Sequence, residues 1–218
     1  MSDVAAARLY LVAGEHLAAG RLAELVPELA AAGVDIVQLR AKGKEAAHVL
    51  AAGEPVAAAC RAAHVPFIVN DRPDVALALG ADGVHLGQDD LPADVARRIL
   101  GRRLIGRSTH SREQIDAEVG LDTPPAYIAV GPVHPTPTKP GRRGVGLDLV
   151  RYAAGRVHLP WFAIGGLDAA TLPAAIEAGA RRVVVVRAIT EARDPVVAAA
   201  HLRSLLHSAP LARGDGLW

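Results

Sequence analysis

The chain has 218 residues, 51% of them hydrophobic and 3% aromatic, and a formal net charge of +1. That is enough apolar material for one soluble domain with a sizeable core, and the near-neutral balance argues against a nucleic-acid or membrane surface. So few aromatics also leave no base-stacking platform for single-stranded nucleic acid. The opening MSDVAAARLYLVAG carries Asp3 and too short an apolar run to read as a signal peptide or a membrane span. Cys60 is the single cysteine, which excludes an internal disulfide and a cysteine-based zinc site and makes a reducing cytoplasm the simplest setting.

In chain order, a strand is expected at 8–12 and a helix at 21–32, where Leu22, Leu25, Val26 and Leu29 share one face before Gly33. A strand at 34–39 follows and leads into QLRAK, then an alanine-rich helix at 45–63 and a third strand at 65–69. A short helix at 73–79 has proline near its start, where a missing N–H is harmless. Further strands are expected at 83–86, at 103–105 running out through GRSTH, and at 126–130, 160–164 and 182–186. Helices are expected at 94–100, 112–118, 147–154, 169–178 and 195–206. The tail 208–218 has no periodicity and reads as a flexible extension of a single domain spanning 1–207.

Strands and helices alternate without exception. Glycine-containing turns (AAGVD, ALGADGV, EAGARRV) recur before the second, fourth and eighth strands as a weak βα repeat. The pattern is an α/β chain with a parallel sheet, and eight units in this length favour a closed (β/α)8 TIM barrel. The alternative is an open doubly wound sheet, but no G-x-G-x-x-G follows the first strand.

In such a barrel the chemistry belongs at the C-terminal ends of the strands. Those ends carry Gln38, Arg40 and Lys42; Asn70 and Asp71; Gln88, Asp89 and Asp90; Ser108, Thr109 and His110; Thr136, Thr138 and Lys139; Gly165 and Gly166; and Arg187. The opposite ends are mostly glycine, alanine and proline. Two acids with Arg40, Lys42 and Lys139 describe a receptor for phosphate plus magnesium, an ion that takes one or two carboxylates and completes its shell with water and substrate phosphates. Read singly, each of these residues has a plainer explanation. Asp71 and Asp90 each precede a proline-led turn, where an acid suits a helix start, and Asp89 competes with Asp90. The cations suit a solvated rim. His85 alternates with apolar neighbours and reads as a core histidine, and His134 is a weak catalytic candidate.

The stretch 131–146, rich in proline and glycine, is long for a loop in a compact domain. Its Thr-x-Thr-Lys, with Arg142 and Arg143, suits a lid over an anion. AIGGL and VVVVRAI end the last two strands, where glycine lets a phosphate approach the backbone, so a second anion site is expected there.

QLRAK, VNDRPDVALALGADGVHLGQDDLP, GRSTHS, GPVHPTPTK, AIGGL and VVVVRAI, in this order, resemble the successive motifs of the thiamine-phosphate synthase (thiamine-phosphate pyrophosphorylase) family over about residues 8–206. The resemblance implies a transferase of the EC 2.5.1 type. It would join 4-amino-2-methyl-5-hydroxymethylpyrimidine diphosphate to hydroxyethylthiazole phosphate, giving thiamine phosphate and pyrophosphate. By position, Gln38, Arg40, Lys42, Asn70, Ser108 and Lys139 would bind the pyrimidine diphosphate, with Lys139, Arg40, Lys42 and Ser108 catalytic. Asp71 and Asp90 would hold one Mg2+ per site, the family pattern deciding between Asp89 and Asp90. Thr136, Thr138, Gly166, Val186 and Arg187 would line the thiazole-phosphate site.

Many members carry serine where this chain has Arg187, which separates the role of that side chain from the role of its backbone. The implied reaction is dissociative: pyrophosphate leaves, a pyrimidine carbocation forms, and the thiazole nitrogen attacks with a lone pair it already has. No nucleophile–base constellation is evident, as that chemistry allows. The expected partners are two phosphorylated small molecules, with no nucleic acid and no membrane, and self-association is left open. A related thiazole tautomerase and a non-catalytic sensor of thiamine phosphate are the rival readings.

Overall fold

The apolar strands of this chain are hydrophobic at successive positions, so both faces of the sheet need cover. The computed structural model, which describes residues 4–14, 21–136 and 144–208, supplies that cover by closing the sheet on itself and ringing it with helices. The elements run β1 (Leu9–Gly14), α1 (Arg21–Ala31), β2 (Ile36–Arg40), α2 (Ala46–Ala62), β3 (Phe67–Asn70), α3 (Pro73–Ala78), β4 (Gly83–Leu86), α4 (Ala93–Leu100) and β5 (Leu104–Thr109). They continue with α5 (Arg112–Val119), β6 (Tyr127–Val130), α6 (Gly146–Arg156), β7 (Trp161–Ile164), α7 (Leu172–Glu177), β8 (Val183–Val185), α8 (Arg187–Thr190) and α9 (Pro195–His207). All neighbouring strands are parallel, and β1 pairs with β8 through Leu9, Tyr10 and Leu11 against Val183, Val184 and Val185. This is the (β/α)8 barrel expected from the alternation.

Two differences from the sequence reading have simple causes. The fifth strand continues to Thr109, because Ser108 and Thr109 pair with Ala129 and Val130 despite their polarity. The four-residue helix α8 is too short to carry a periodic signal. The recurring glycine turns are one structural device. After α1, α3 and α7 the residue following the glycine donates to a carbonyl five positions back, as in Val34 to Leu29, Ala81 to Ala76 and Ala180 to Ala175. The glycines take positive φ, which that helix ending requires. Ser111 caps α5, and Asp194 caps α9 by accepting from the Val196 and Val197 N–H groups.

Strand parity divides the core in two. Leu9, Leu11, Val37, Leu39, Val69, Val84 and Leu86 face the helices. Tyr10, Val12, Ile36, Ile68, Tyr127, Phe162 and Val184 fill the barrel. The chain has only two Trp, three Tyr and two Phe, yet Tyr10, Tyr127 and Phe162 meet edge-to-face inside it at 5.5–5.8 Å between ring centres. Gly106 makes the room: a Cβ there would lie 2.1 Å from Cζ of Tyr127. No helix among the described residues is long and apolar enough to cross a membrane.

Candidate active site

The same parity that fills the barrel floor with aromatics carries polar groups to its C-terminal mouth. Gln38 and Arg40 follow Ile36 on β2, Asn70 follows Ile68 on β3, and Ser108 follows Gly106 on β5. Above the aromatic floor lies a cavity of about 310 Å³. Gln38, Arg40, Lys42, Asn70, Asp71, Asp90 and Ser108 all line it, and so do Tyr10, His85, Gln88, Asp89 and His110. Val12, Ala129, Ile164 and Val184 form its apolar wall.

Asp71 sits in a three-residue turn closed by the Arg72 N–H on the Asn70 carbonyl at 2.8 Å. It takes φ of 65°, a left-handed conformation that few non-glycine residues adopt. The Asp71 N–H donates to the His85 carbonyl at 2.9 Å, tying the end of β3 to β4. Such strain is held by its surroundings and is common where a side chain must be aimed. Asp90 reaches the same spot from the far side of β4, its Oδ2 accepting the Gly87 N–H at 2.6 Å.

The two carboxyls hydrogen-bond each other. Burial, and then this contact with Asp90, push the Asp71 carboxyl up to about 6. Burial also acts to raise Asp90, but the hydrogen bond from Asp71 and the Gly87 N–H outweigh it and leave Asp90 below its ordinary value. The pair therefore holds a shared proton in acid and, once it is lost, carries two adjacent negative charges. Lys42 Nζ, 3.3 Å from Asp71 Oδ2, offsets part of that charge.

Magnesium fits this donor set. Two carboxylates opening on a cavity leave most of the coordination shell to water and phosphate oxygens, as that ion prefers. Among the described residues no cluster of three or more His, Cys, Asp or Glu could hold a metal alone, so a metal here would depend on oxygens from its ligand.

Support for the mouth comes from behind and beside it. Gln88 Nε2 donates to the Ser108 carbonyl at 2.6 Å, and His110 Nδ1 bonds the Gly131 carbonyl. Arg107, facing outward on β5, pairs with Glu118 at 2.9 Å and donates to the Gly87 carbonyl at 2.7 Å. That bond steadies the turn from which Asp90 hangs.

Of the residues expected to bind a second phosphate, Thr136, Gly166, Val186 and Arg187 are described, and none of these four lines this cavity. Gly166 follows β7 with φ of 65°, and a Cβ there would lie 2.6 Å from the His134 Cβ. Val186 precedes α8 and accepts from the Ile189 and Thr190 N–H groups. The exposed Arg187 side chain lies 3.7 Å from Glu191 Oε2 and takes up that partner. Thr136 is partly buried at the end of the described part of its loop. Thr138, Lys139, Arg142 and Arg143 lie outside the described residues, as does the tail beyond Ser208.

Sequence reasoning missed Tyr10 and Tyr127 and set His85 aside as core. His85 is indeed buried, but its Nε2 lies 2.9 Å from Ser108 Oγ and its ring lines the cavity. The available signal was position. His85 shares the parity of Gly83 on β4, in register with Asn70 and Gly106 on the neighbouring strands.

Comparison with known proteins decides the family. Residues 9–189 match the family model described as thiamine monophosphate synthase. The chain belongs to that family. It is 52% identical to the thiamine-phosphate synthase of Mycobacterium sp. (strain JLS) over 216 residues, covering 94% of this chain and 95% of that protein. The thiamine-phosphate synthase of Mycobacterium tuberculosis (strain ATCC 25177 / H37Ra) is 51% identical over 220 residues, covering 95% and 98%. Among solved structures, thiamine phosphate pyrophosphorylase from Pyrococcus furiosus superposes with a TM-score of 0.82 at 30% identity, covering 93% of this chain and 96% of that one.

Proposed function

We propose that the cavity at the C-terminal mouth of this barrel is where the family's transfer reaction takes place. The chain is a transferase that forms thiamine phosphate, as its family membership and its relatives' shared activity support. The proposal assigns Gln38, Arg40, Lys42, Asn70 and Ser108, with Lys139 from the loop, to the pyrimidine diphosphate. It assigns Asp71 and Asp90 to one magnesium ion. Thr136, Thr138, Gly166, Val186 and Arg187 are assigned to the thiazole phosphate, the last of these through its backbone.

One observation carries the reading: two hydrogen-bonded carboxyls and the Lys42 ammonium share the rim of one cavity whose floor carries the rings of Tyr10 and His85. A ring fits the floor, and a diphosphate reaches the charges at the rim. Bound there, magnesium would supply positive charge for the pyrophosphate oxygens as negative charge develops on them. Arg40 and Lys42 add fixed positive charge on the same side, which favours departure of the leaving group. The thiazole nitrogen attacks with its own lone pair, so no side chain has to remove a proton. The remaining task is to hold two substrates in line, which the wall formed by Ala129, Ile164 and Val184 supports by excluding water. A cytoplasmic setting belongs to the proposal, supported by the buried thiol of Cys60, the one cysteine in the sequence.

The test is a coupled assay with both phosphorylated substrates, with and without magnesium, following pyrophosphate. Magnesium-dependent release matched one-to-one by thiamine phosphate is expected. Isomerisation of a thiazole without pyrophosphate release would favour a tautomerase. Binding of thiamine phosphate with no turnover would make the protein a sensor.

A further inference from the structure

Five polar side chains form a continuous hydrogen-bonded chain across the barrel interior. Gln38 Nε2 donates to the Tyr10 hydroxyl at 2.5 Å, which lies 2.9 Å from the Tyr127 hydroxyl. That hydroxyl lies 3.3 Å from His85 Nδ1, and His85 Nε2 lies 2.9 Å from Ser108 Oγ. Only the two ends, Gln38 and Ser108, are groups assigned above to a substrate. The middle three are buried, and the Tyr127 ring stacks on the His85 ring at 5.6 Å and 21°.

The direction of every bond follows from the first. Tyr10 accepts from Gln38, so its own proton must go to Tyr127, since a buried hydroxyl keeps its proton partnered. Tyr127 then has its proton left for His85 Nδ1, which must be bare. His85 is therefore the neutral Nε2–H form, and it donates to Ser108. Two ends are left facing the cavity with opposite characters. Ser108 has its O–H to give, and Gln38 has its Oε1 to accept. Burial raises the pKa of both tyrosines, so neither loses the proton that this sequence of bonds needs.

We infer that Tyr10, Tyr127 and His85 are positioning residues that fix the donor at Ser108 and the acceptor at Gln38, so that the floor selects an aminopyrimidine over its oxo counterpart. The inference rests on the reading that the pyrimidine enters this cavity. A ring nitrogen accepts from Ser108 and an exocyclic amine donates to Gln38. An oxo group in place of the amine sets oxygen against oxygen at Gln38. Turning the Gln38 amide to relieve this reverses every bond as far as Ser108, so one mismatch is felt at both ends.

The experiment compares kcat/KM for the amino pyrimidine diphosphate and its 4-oxo analogue, with thiazole phosphate saturating, in the wild type, Tyr127→Phe and Gln38→Ala. Tyr127→Phe keeps the ring and cuts the chain, and its amino-to-oxo preference is expected to fall by about tenfold or more, as when a paired polar contact loses its constraint. A preference kept within about threefold in Tyr127→Phe, while Gln38→Ala abolishes it, would overturn the inference and leave the substrate assignment standing. An unchanged preference in Gln38→Ala would overturn both. Tyr10→Phe cuts the same chain one link away and serves if Tyr127→Phe does not fold. Nitrogen-15 NMR of the wild-type protein should show His85 as the Nε2–H tautomer, and the Nδ1–H tautomer would overturn the assigned direction.

Discussion

The mouth of the barrel has two unlike halves. From β2 to β5 it is built of side chains: Gln38, Arg40, Asn70, Asp71, Asp90 and Ser108 converge on one cavity. From β6 to β8 its described residues are backbone and small or apolar groups, with Ala129, Ile164 and Val184 as wall and Gly165, Gly166 and Val186 beyond. The first half can neutralise a diphosphate and hold a metal. Among the described residues, the second offers shape and N–H groups but little charge. The difference suits a reaction in which one substrate must lose a charged leaving group while the other only has to be held.

If that division is right, the largest losses come from the first half. Asp71→Ala removes one of two acids at the rim and leaves Asp90 to hold a cation alone. The rate of magnesium-dependent coupling should fall roughly 100-fold or more, the usual cost of removing a preorganised charge partner. Steady-state kinetics at saturating magnesium gives the answer, and near-normal turnover in Asp71→Ala would falsify the assignment of the two acids.

The second half should respond through its backbone. Gly166→Ala places a methyl 2.6 Å from the His134 Cβ at a position with φ of 65°. Strain of about 1–3 kcal/mol is expected, and it has to move either the end of β7 or the loop at His134. The KM for thiazole phosphate should rise by about tenfold with kcat less affected, the pattern of lost binding rather than lost chemistry. A fall in kcat with an unchanged KM would show that the two halves are not divided in this way.

The acid pair should also be visible in stability. The Asp71 carboxyl has a folded-state value of about 6, above its ordinary 3.8. The folded protein therefore binds this proton more tightly than the unfolded chain does, and metal-free stability is lost as pH rises through about 6. Asp71→Asn removes that loss. At pH 7.5 without metal, the variant should melt roughly 2–4 °C higher than the wild type, the shift expected for about 1 kcal/mol at this size. The gain should shrink as pH falls and be gone below about pH 4. Saturating magnesium should reverse the order, because a cation favours the charged pair. Thermal melts over this pH range, with magnesium or chelator, test each sign separately.

The two halves also differ in how well the sequence reveals them. Carboxylates and cations at strand ends are conspicuous in an apolar chain, and alternation with helices puts every strand end on one rim. The barrel and the β2–β5 half are therefore legible in the order of residues alone. Tyr10 and Tyr127 are not, because an aromatic inside a strand looks the same whether it faces helices or the barrel axis. Only closure of the sheet makes Tyr10, on the first strand, a neighbour of Tyr127 on the sixth. His85 is easily misplaced for a related reason. Burial and polarity do not conflict when a partner such as Ser108 stands on the next strand at the same level. The glycine half is legible only as punctuation, since backbone groups leave no residue-type signal of what they bind.

Arg187 gives the smallest expected effect and the finest test of the division. It is the one strong charge that the sequence puts at the end of β8, where many family members carry serine. If its guanidinium gripped a phosphate, the second half would bind by side-chain charge like the first. In the structure the side chain is exposed and lies 3.7 Å from Glu191 Oε2. An exposed pair of this kind contributes at most about 1 kcal/mol. Its first N–H groups belong to α8, whose geometry the side chain does not set. Arg187→Ser should therefore change the KM for thiazole phosphate by no more than about threefold and shift the melting temperature by no more than about 4 °C. Loss of a charge-assisted bond to phosphate would instead cost about tenfold or more. A tenfold rise in KM, abolished by high salt, would move Arg187 from the backbone half of the mouth to the charged one.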